Sequence, residues 1–172
     1  MKNFLDLAKE RYSVRSFKST PVEQEKIDLI LEAAKVAPTA RNNQPQKIFI
    51  IKSEEKRRQI AEITPFSFDA PLIFAIGYDE EIASTGIIYE GFNFGMIDST
   101  IACTQMMLEA QELGLGSCWV GRFKETELAA ILGTSENIRL CALLPVGYPA
   151  DDAVPSAHHG ECRDGSEMFT FL

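Results

Sequence analysis

Ala33-Ala34-Lys35-Val36-Ala37-Pro38-Thr39-Ala40-Arg41-Asn42-Asn43 is the end of a helix running into a polar loop, and the chain on either side takes its frame from it. Upstream, Ile27, Ile30, Leu31 and Ala34 fall at i, i+3, i+4 and i+7, the apolar face of a helix. Pro38 biases Ala37 away from helical angles, so the helix is expected to end there. Its start is expected at Thr20-Pro21-Val22-Glu23, with a hydroxyl N-cap, proline at the first helical position and glutamate at the third. Downstream, the polar run Thr39 to Gln44 is closed by Pro45 and followed by Ile48 to Ile51, expected as a buried strand. Taken alone, Asn42-Asn43 also suits a plain turn, since asparagine tolerates turn geometry.

Before the helix lies Arg11-Tyr12-Ser13-Val14-Arg15-Ser16-Phe17. In an extended segment side chains alternate, so Arg11, Ser13 and Arg15 share one face. Two guanidinium forks and a hydroxyl suit a phosphate monoester, which carries roughly −1.5 to −2 charges near neutrality. The same residues taken alone also suit a solvated face of ordinary surface arginines.

Composition narrows the classes. At 172 residues with 45% apolar side chains the chain can bury a core, and a single domain over 1–172 is expected. A net charge of −8 argues against non-specific binding to nucleic acid or to an anionic membrane. A basic cluster therefore stands out more here than it would in a basic protein. Met1 to Ser13 lacks a long apolar core and a small-residue cleavage site, so no signal peptide is expected. Apolar runs such as Leu72 to Ile76 are too short to span a bilayer, and a cytoplasmic protein is expected. Cys103, Cys118, Cys141 and Cys162 are scattered, which suits small buried thiols better than a disulfide or zinc framework. His158 and His159 are adjacent and have no further ligands at metal-site spacing, so no metal is expected.

The rest of the chain alternates irregularly between helix and strand patterns. Phe4, Leu7 and Ala8 suggest a short amphipathic helix. Ser53 opens a helix with a charged face, and Ala70-Pro71 introduces a strand from Leu72 to Ile76. Glu80 to Gly95 is expected as an ordered loop or short helix near a site. Met96 to Leu113 reads as a long helix with Ile97, Ile101, Met107 or Leu108, and Leu113 inward, stopped by Gly114-Leu115-Gly116. Ser117 to Gly121 reads as a short strand, Glu125 to Leu132 as a helix stopped by Gly133, and Leu140 to Val146 as a strong strand. The tail ends apolar, in Met168-Phe169-Thr170-Phe171-Leu172, and needs a surface to cover it. This order favours an α+β fold, a sheet layered with helices, over a doubly wound one.

Taken together, Arg11 to Phe17, Thr20 to Gln46, Gly114 to Phe123 and Leu143 to Asp151 resemble the FMN-dependent nitroreductase family in order and spacing. The resemblance runs from about Phe4 to Met168 and is weakest over Phe66 to Gly95. It implies a nitroreductase-like α+β fold, with a central mixed, mainly antiparallel sheet between helices, in an intertwined homodimer with FMN at the interface. By this resemblance Arg11, Ser13 and Arg15 hold the phosphate and ribityl chain, with Tyr12 beside them. Pro38, Thr39, Ala40 and Asn42, and more weakly Gln44, come from the second subunit. In Ser117-Cys118-Trp119-Val120-Gly121, the Gly121 N–H is placed against flavin N5, with Val120 and Trp119 beside it. Trp119 taken alone could equally fill core.

The implied reaction needs no triad, because the flavin carries the hydride chemistry while the protein supplies position and exclusion of water. The resemblance implies ping-pong transfer from NADH or NADPH to a small aromatic acceptor such as a nitroarene or quinone. Two departures stand out. Many members have Lys-x-Arg near the carboxyl end, whereas this chain has Glu161-Cys162-Arg163, so only Arg163 matches. The polar Asn and Lys that some members place before the second strand have no counterpart in Phe66 to Asp69. Two alternatives differ in kind: a flavin- or phosphate-binding module without turnover, and the same fold running flavin fragmentation or dehalogenation.

Overall fold

A computed structural model describes residues 3–86 and 91–172. Six helices and four strands follow in the order α1 (Phe4–Glu10), α2 (Gln24–Lys35), β1 (Gln46–Ile51), α3 (Glu54–Ile63), β2 (Leu72–Asp79), α4 (Gly95–Glu112), β3 (Gly116–Ser117), α5 (Glu125–Leu132), β4 (Ile138–Gly147) and α6 (Gly165–Met168). The sheet order is β1-β2-β4-β3, every strand pair antiparallel, with one parallel bridge added by Ser13 against Ser117. This is the expected α+β sheet with helices on both faces.

The central strands β2 and β4 are buried on both faces, so they are written as near-continuous apolar runs. Leu72, Phe74 and Ile76 face the layer of α2 and α4, where Ile27, Ile30, Ala34 and Met106 complete one core. Ile73 and Ala75 face the other way, towards Ile60 of α3, Leu128 of α5 and Leu143. Gly114 and Gly133 adopt left-handed angles where α4 and α5 end, as the sequence indicated.

Several expectations are corrected. Helix α2 starts at Gln24, not Pro21, and its N-cap Glu23 makes no side-chain cap. Val22 is buried in the core, which keeps Pro21 to Glu23 extended, and the Glu23 carboxylate instead accepts a hydrogen bond from the Tyr148 hydroxyl at 2.8 Å. Strand β1 lies at the sheet edge, and Ile50 is exposed instead of buried. The regular part of the Ser117 to Gly121 segment stops at Ser117, beyond which the Cys118 N–H donates to the Pro145 carbonyl and Val120 bridges Leu143.

The buried face of α4 is Ser99, Ala102, Cys103, Met106 and Ala110, while Ile97 is exposed and Ile101, Met107, Leu108 and Leu113 are half-buried. Small side chains let the helix axis approach the sheet, and the Ser99 hydroxyl donates to the Gly77 carbonyl at 2.8 Å. Of the cysteines, Cys162 is exposed on the tail; burial pushes the Cys103 thiol up to about 12 and Cys141 up to about 11.

Within the expected Glu80 to Gly95 loop, Thr85 bridges Asn93, while residues 87–90 lie outside the described residues. Among the described residues no helix is long and apolar enough to cross a membrane.

Candidate functional site

The arginine segment is held against the sheet by backbone. Arg11 caps α1, the Val14 N–H donates to the Ser117 carbonyl at 3.0 Å, and Phe17 bridges Pro149. Gly116 makes this approach possible: a Cβ there would stand 2.5 Å from a Val14 methyl. The alternation expected from sequence follows. Val14 points into the core, while Arg11, Ser13 and Arg15 come together over Cys118. Burial pushes the Cys118 thiol up, and the Arg15 guanidinium, the Ser13 hydroxyl and the Arg11 guanidinium pull it down. Among the described residues neither Arg11 nor Arg15 has a carboxylate partner. Two such arginines, in a chain of net charge −8, have the chemistry to hold an anion.

A pocket of about 200 Å³ opens beside this cluster, lined by Arg15, Phe66, Phe68, Trp119, Gly121 and Arg122 among others. Val120 is fixed by reciprocal backbone bonds to Leu143 at 2.9 Å, which orients the next residue. The Gly121 N–H has no acceptor among the described residues. The Trp119 ring lies across Gly121, where a Cβ would meet ring carbon Cζ3 at 2.8 Å. Trp119 is 43% exposed, so it is a pocket wall and not core filling.

The Pro38 to Gln44 loop is built with equal care but lines no part of this pocket. Arg41, Asn42 and Gln44 all have φ near +55°, at 55°, 57° and 52°. For residues other than glycine, such angles cost on the order of 1 kcal/mol each. The Ala40 N–H donates to Asp98 Oδ1 at 2.9 Å, the Gln44 N–H to Thr39 Oγ1 at 3.1 Å, and Asn43 Nδ2 to the Ile82 carbonyl at 2.9 Å. The loop is therefore a pinned structure and not a plain turn. Pro38 and Asn42 are left exposed at its surface.

Tyr12 packs edge-on against His159 and donates to the Ala153 carbonyl at 3.4 Å, which brings the tail back to the arginine segment. Arg163 does not meet Arg11 or Arg15; its Nε and Nη2 donate to Glu167 at 2.9 and 2.7 Å. Glu161 pairs with His158.

Sequence reasoning passed over Asp98, 2% exposed, whose Oδ1 anchors the loop and whose Oδ2 is buried with no hydrogen-bond partner among the described residues. Its signal was an acid in the first turn of α4, within the otherwise uncharged run from Gly95 to Leu108. Phe66, Phe68 and Arg122 were also missed, although two aromatics at i and i+2 before a strand mark a wall. Thr64 ties that wall together. Its hydroxyl donates to the Arg122 carbonyl at 2.7 Å and accepts from the Phe66 N–H at 3.3 Å.

Known proteins match this architecture. The chain superposes on a nitroreductase family protein from Clostridium difficile 630 with a TM-score of 0.92, at 31% identity over 99% of this chain and 98% of that one. An FMN-dependent nitroreductase from Clostridium difficile R20291 superposes with a TM-score of 0.76, at 25% identity over 95% and 94% of the two chains. An FMN reductase [NAD(P)H] from Bacillus subtilis is 28% identical over 156 residues, 81% of this chain and 63% of that protein. The nitroreductase family model matches residues 8–65 and 63–148, and on this match and the fold the chain belongs to the nitroreductase family.

Proposed function

We propose that the protein is an FMN-dependent NAD(P)H oxidoreductase that reduces nitroaromatic, quinone or similar conjugated acceptors. The observation that carries this reading is one pocket lined by Arg15 and by Gly121, whose N–H has no acceptor among the described residues, with Arg11 beside Arg15 at Cys118 and neither arginine paired to a carboxylate there. The relatives named for FMN and for NAD(P)H support the same cofactor and donor.

Arg11, Ser13 and Arg15 bind the terminal phosphate, and Tyr12 backs them through its contact with the tail. The Gly121 N–H donates to flavin N5, with Val120 fixing its direction and Trp119 shielding that edge from water. FMN bound there would supply the hydride chemistry that carries two electrons from NADH or NADPH to an acceptor, the two using the site in turn. Pro38, Thr39, Ala40, Asn42 and Gln44 act from the second copy of a homodimer, their loop already rigid before the ligand arrives. The exposed apolar residues Met96, Ile97, Leu29 and Val36 support a covered face of that kind. Arg163 is a third cation for the phosphate once its pair with Glu167 opens.

Titration of flavin-free protein with FMN at low and high salt tests the binding half. A charge-assisted hydrogen bond is worth roughly 1.5–3 kcal/mol, so Arg11→Ala or Arg15→Ala should each weaken FMN binding about ten- to a hundredfold. Arg163→Ala should have a smaller effect, and all three should shrink in high salt. Equal affinity of FMN and FAD, or wild-type affinity in the Arg11 and Arg15 variants, would remove the phosphate assignment.

A further inference from the structure

The phosphate assignment uses the Arg15 and Cys118 end of the pocket and leaves its other end, Arg122 with Phe66 and Phe68, without a role. The Arg122 guanidinium lies over the Phe66 ring, 5.6 Å from its centroid, and Phe66 and Phe68 meet edge-on at 6.0 Å. The buried Thr64 hydroxyl bonds both the Arg122 carbonyl and the Phe66 N–H, so the main chains that carry cation and ring are tied together. Phe68 completes that wall at a positive φ of 53°. Arg122 is exposed and has no carboxylate partner among the described residues. Its neighbour in sequence is Gly121, the residue assigned to the reacting edge.

We propose that Arg122 selects acceptors that are planar aromatics carrying an anionic group. The guanidinium pairs with the anion while Phe66 and Trp119 flank the ring. A chain of net charge −8 repels anions in general, so a local unpaired arginine is needed to admit one. This inference rests on the oxidoreductase reading and names the substrate class of that same site. For a nitroarene the step is Ar–NO₂ plus NAD(P)H plus H⁺ giving Ar–N=O, NAD(P)⁺ and water. One N–O bond breaks, and hydride and a solvent proton supply two electrons and the two hydrogens of the departing water.

The test compares 4-nitrobenzoate with 4-nitrobenzamide, which has the same ring without the charge, on FMN-loaded protein. The ratio of kcat/KM, benzoate over benzamide, should fall about ten- to a hundredfold from wild type to Arg122→Gln, the worth of one charge-assisted bond. Arg122→Lys should recover part of it, since lysine keeps the charge and loses the fork. An unchanged ratio in Arg122→Gln, a loss equal for both acceptors, or a loss confined to the NADPH half-reaction would overturn the inference. If NAD(P)H reduces no flavin in the wild type, the oxidoreductase reading fails separately. Equilibrium binding of the two ring compounds then decides the selectivity: benzoate preferred in wild type but not in Arg122→Gln supports it, and equal preference in both overturns it.

Discussion

At the scale of single residues, the site turns on backbone direction more than on reactive side chains. Gly121 contributes an N–H and an absent side chain, and both can be tested. Gly121→Ala keeps the N–H but drives a methyl into the Trp119 ring, so the ring must move. Trp119 is the sole tryptophan, and its fluorescence reports that movement directly. Gly121→Pro crowds the same ring and also deletes the donor. Fixed donors of this kind are worth about 10²–10³ in rate. The expected result of anaerobic stopped-flow reduction by NADH is a loss below about tenfold for alanine and about a hundredfold for proline. Equal rates in the two variants would mean that the N–H points elsewhere. Gly121 was legible in sequence only through its resemblance to a family. The physical reason for it, a ring packed where Cβ would sit, needs the fold.

At the scale of elements, helix periods and glycine stops were readable because they are local. Glu125–Leu132 with Gly133, and Ser53 opening α3, came out as expected. The start of α2 did not, because a tertiary contact overrode the local cap. Lys26 donates to the Tyr148 hydroxyl at 2.8 Å and to the Leu113 carbonyl at 3.0 Å, while Tyr148 bonds Glu23. The Glu23 carboxyl is held below its usual range by its backbone hydrogen bond and then by Tyr148, and Lys26 is held above its usual range chiefly by Tyr148. The lowered carboxyl contributes stability above its unfolded pKa of about 4.3, lost as pH falls through its folded value. The raised amine contributes below its unfolded pKa of about 10.4, lost as pH rises through its folded value. Tyr148→Phe should therefore melt below wild type at neutral pH, and the gap should narrow at both extremes. Melting curves across pH decide it; a gap independent of pH would assign the loss to packing alone. On α4 the expected inward residues Ile101, Met107 and Leu113 do pack against the core, but Ile97 is exposed, because apolar periodicity also marks a face that the single chain leaves open.

At the scale of the whole molecule, the single chain leaves too much apolar surface uncovered. Phe4 and Leu5 of α1, Leu29 and Val36 around α2, and Met96 and Ile97 of α4 are exposed. So are Phe169, Phe171 and Leu172, with Phe171 98% exposed at the end of the tail. The sequence announced the apolar tail, but nothing in it shows which surface it meets. A homodimer that covers these residues is the proposed state. Fully burying one such side chain is worth about 1.5–3 kcal/mol. Deleting residues 168–172 should therefore weaken the dimer by at least about tenfold in sedimentation equilibrium, at unchanged helix content. A flavin-loaded wild-type monomer at micromolar concentration would contradict the intersubunit site.

The most direct measurement is anaerobic addition of NADH or NADPH to the FMN-loaded protein while its visible flavin absorption is followed. The expected result is bleaching that saturates at one reduced nicotinamide per flavin, with the colour restored when a nitroarene or quinone is then added. Retained colour with excess NADH and NADPH would contradict the oxidoreductase assignment and leave a protein that binds flavin without turning it over.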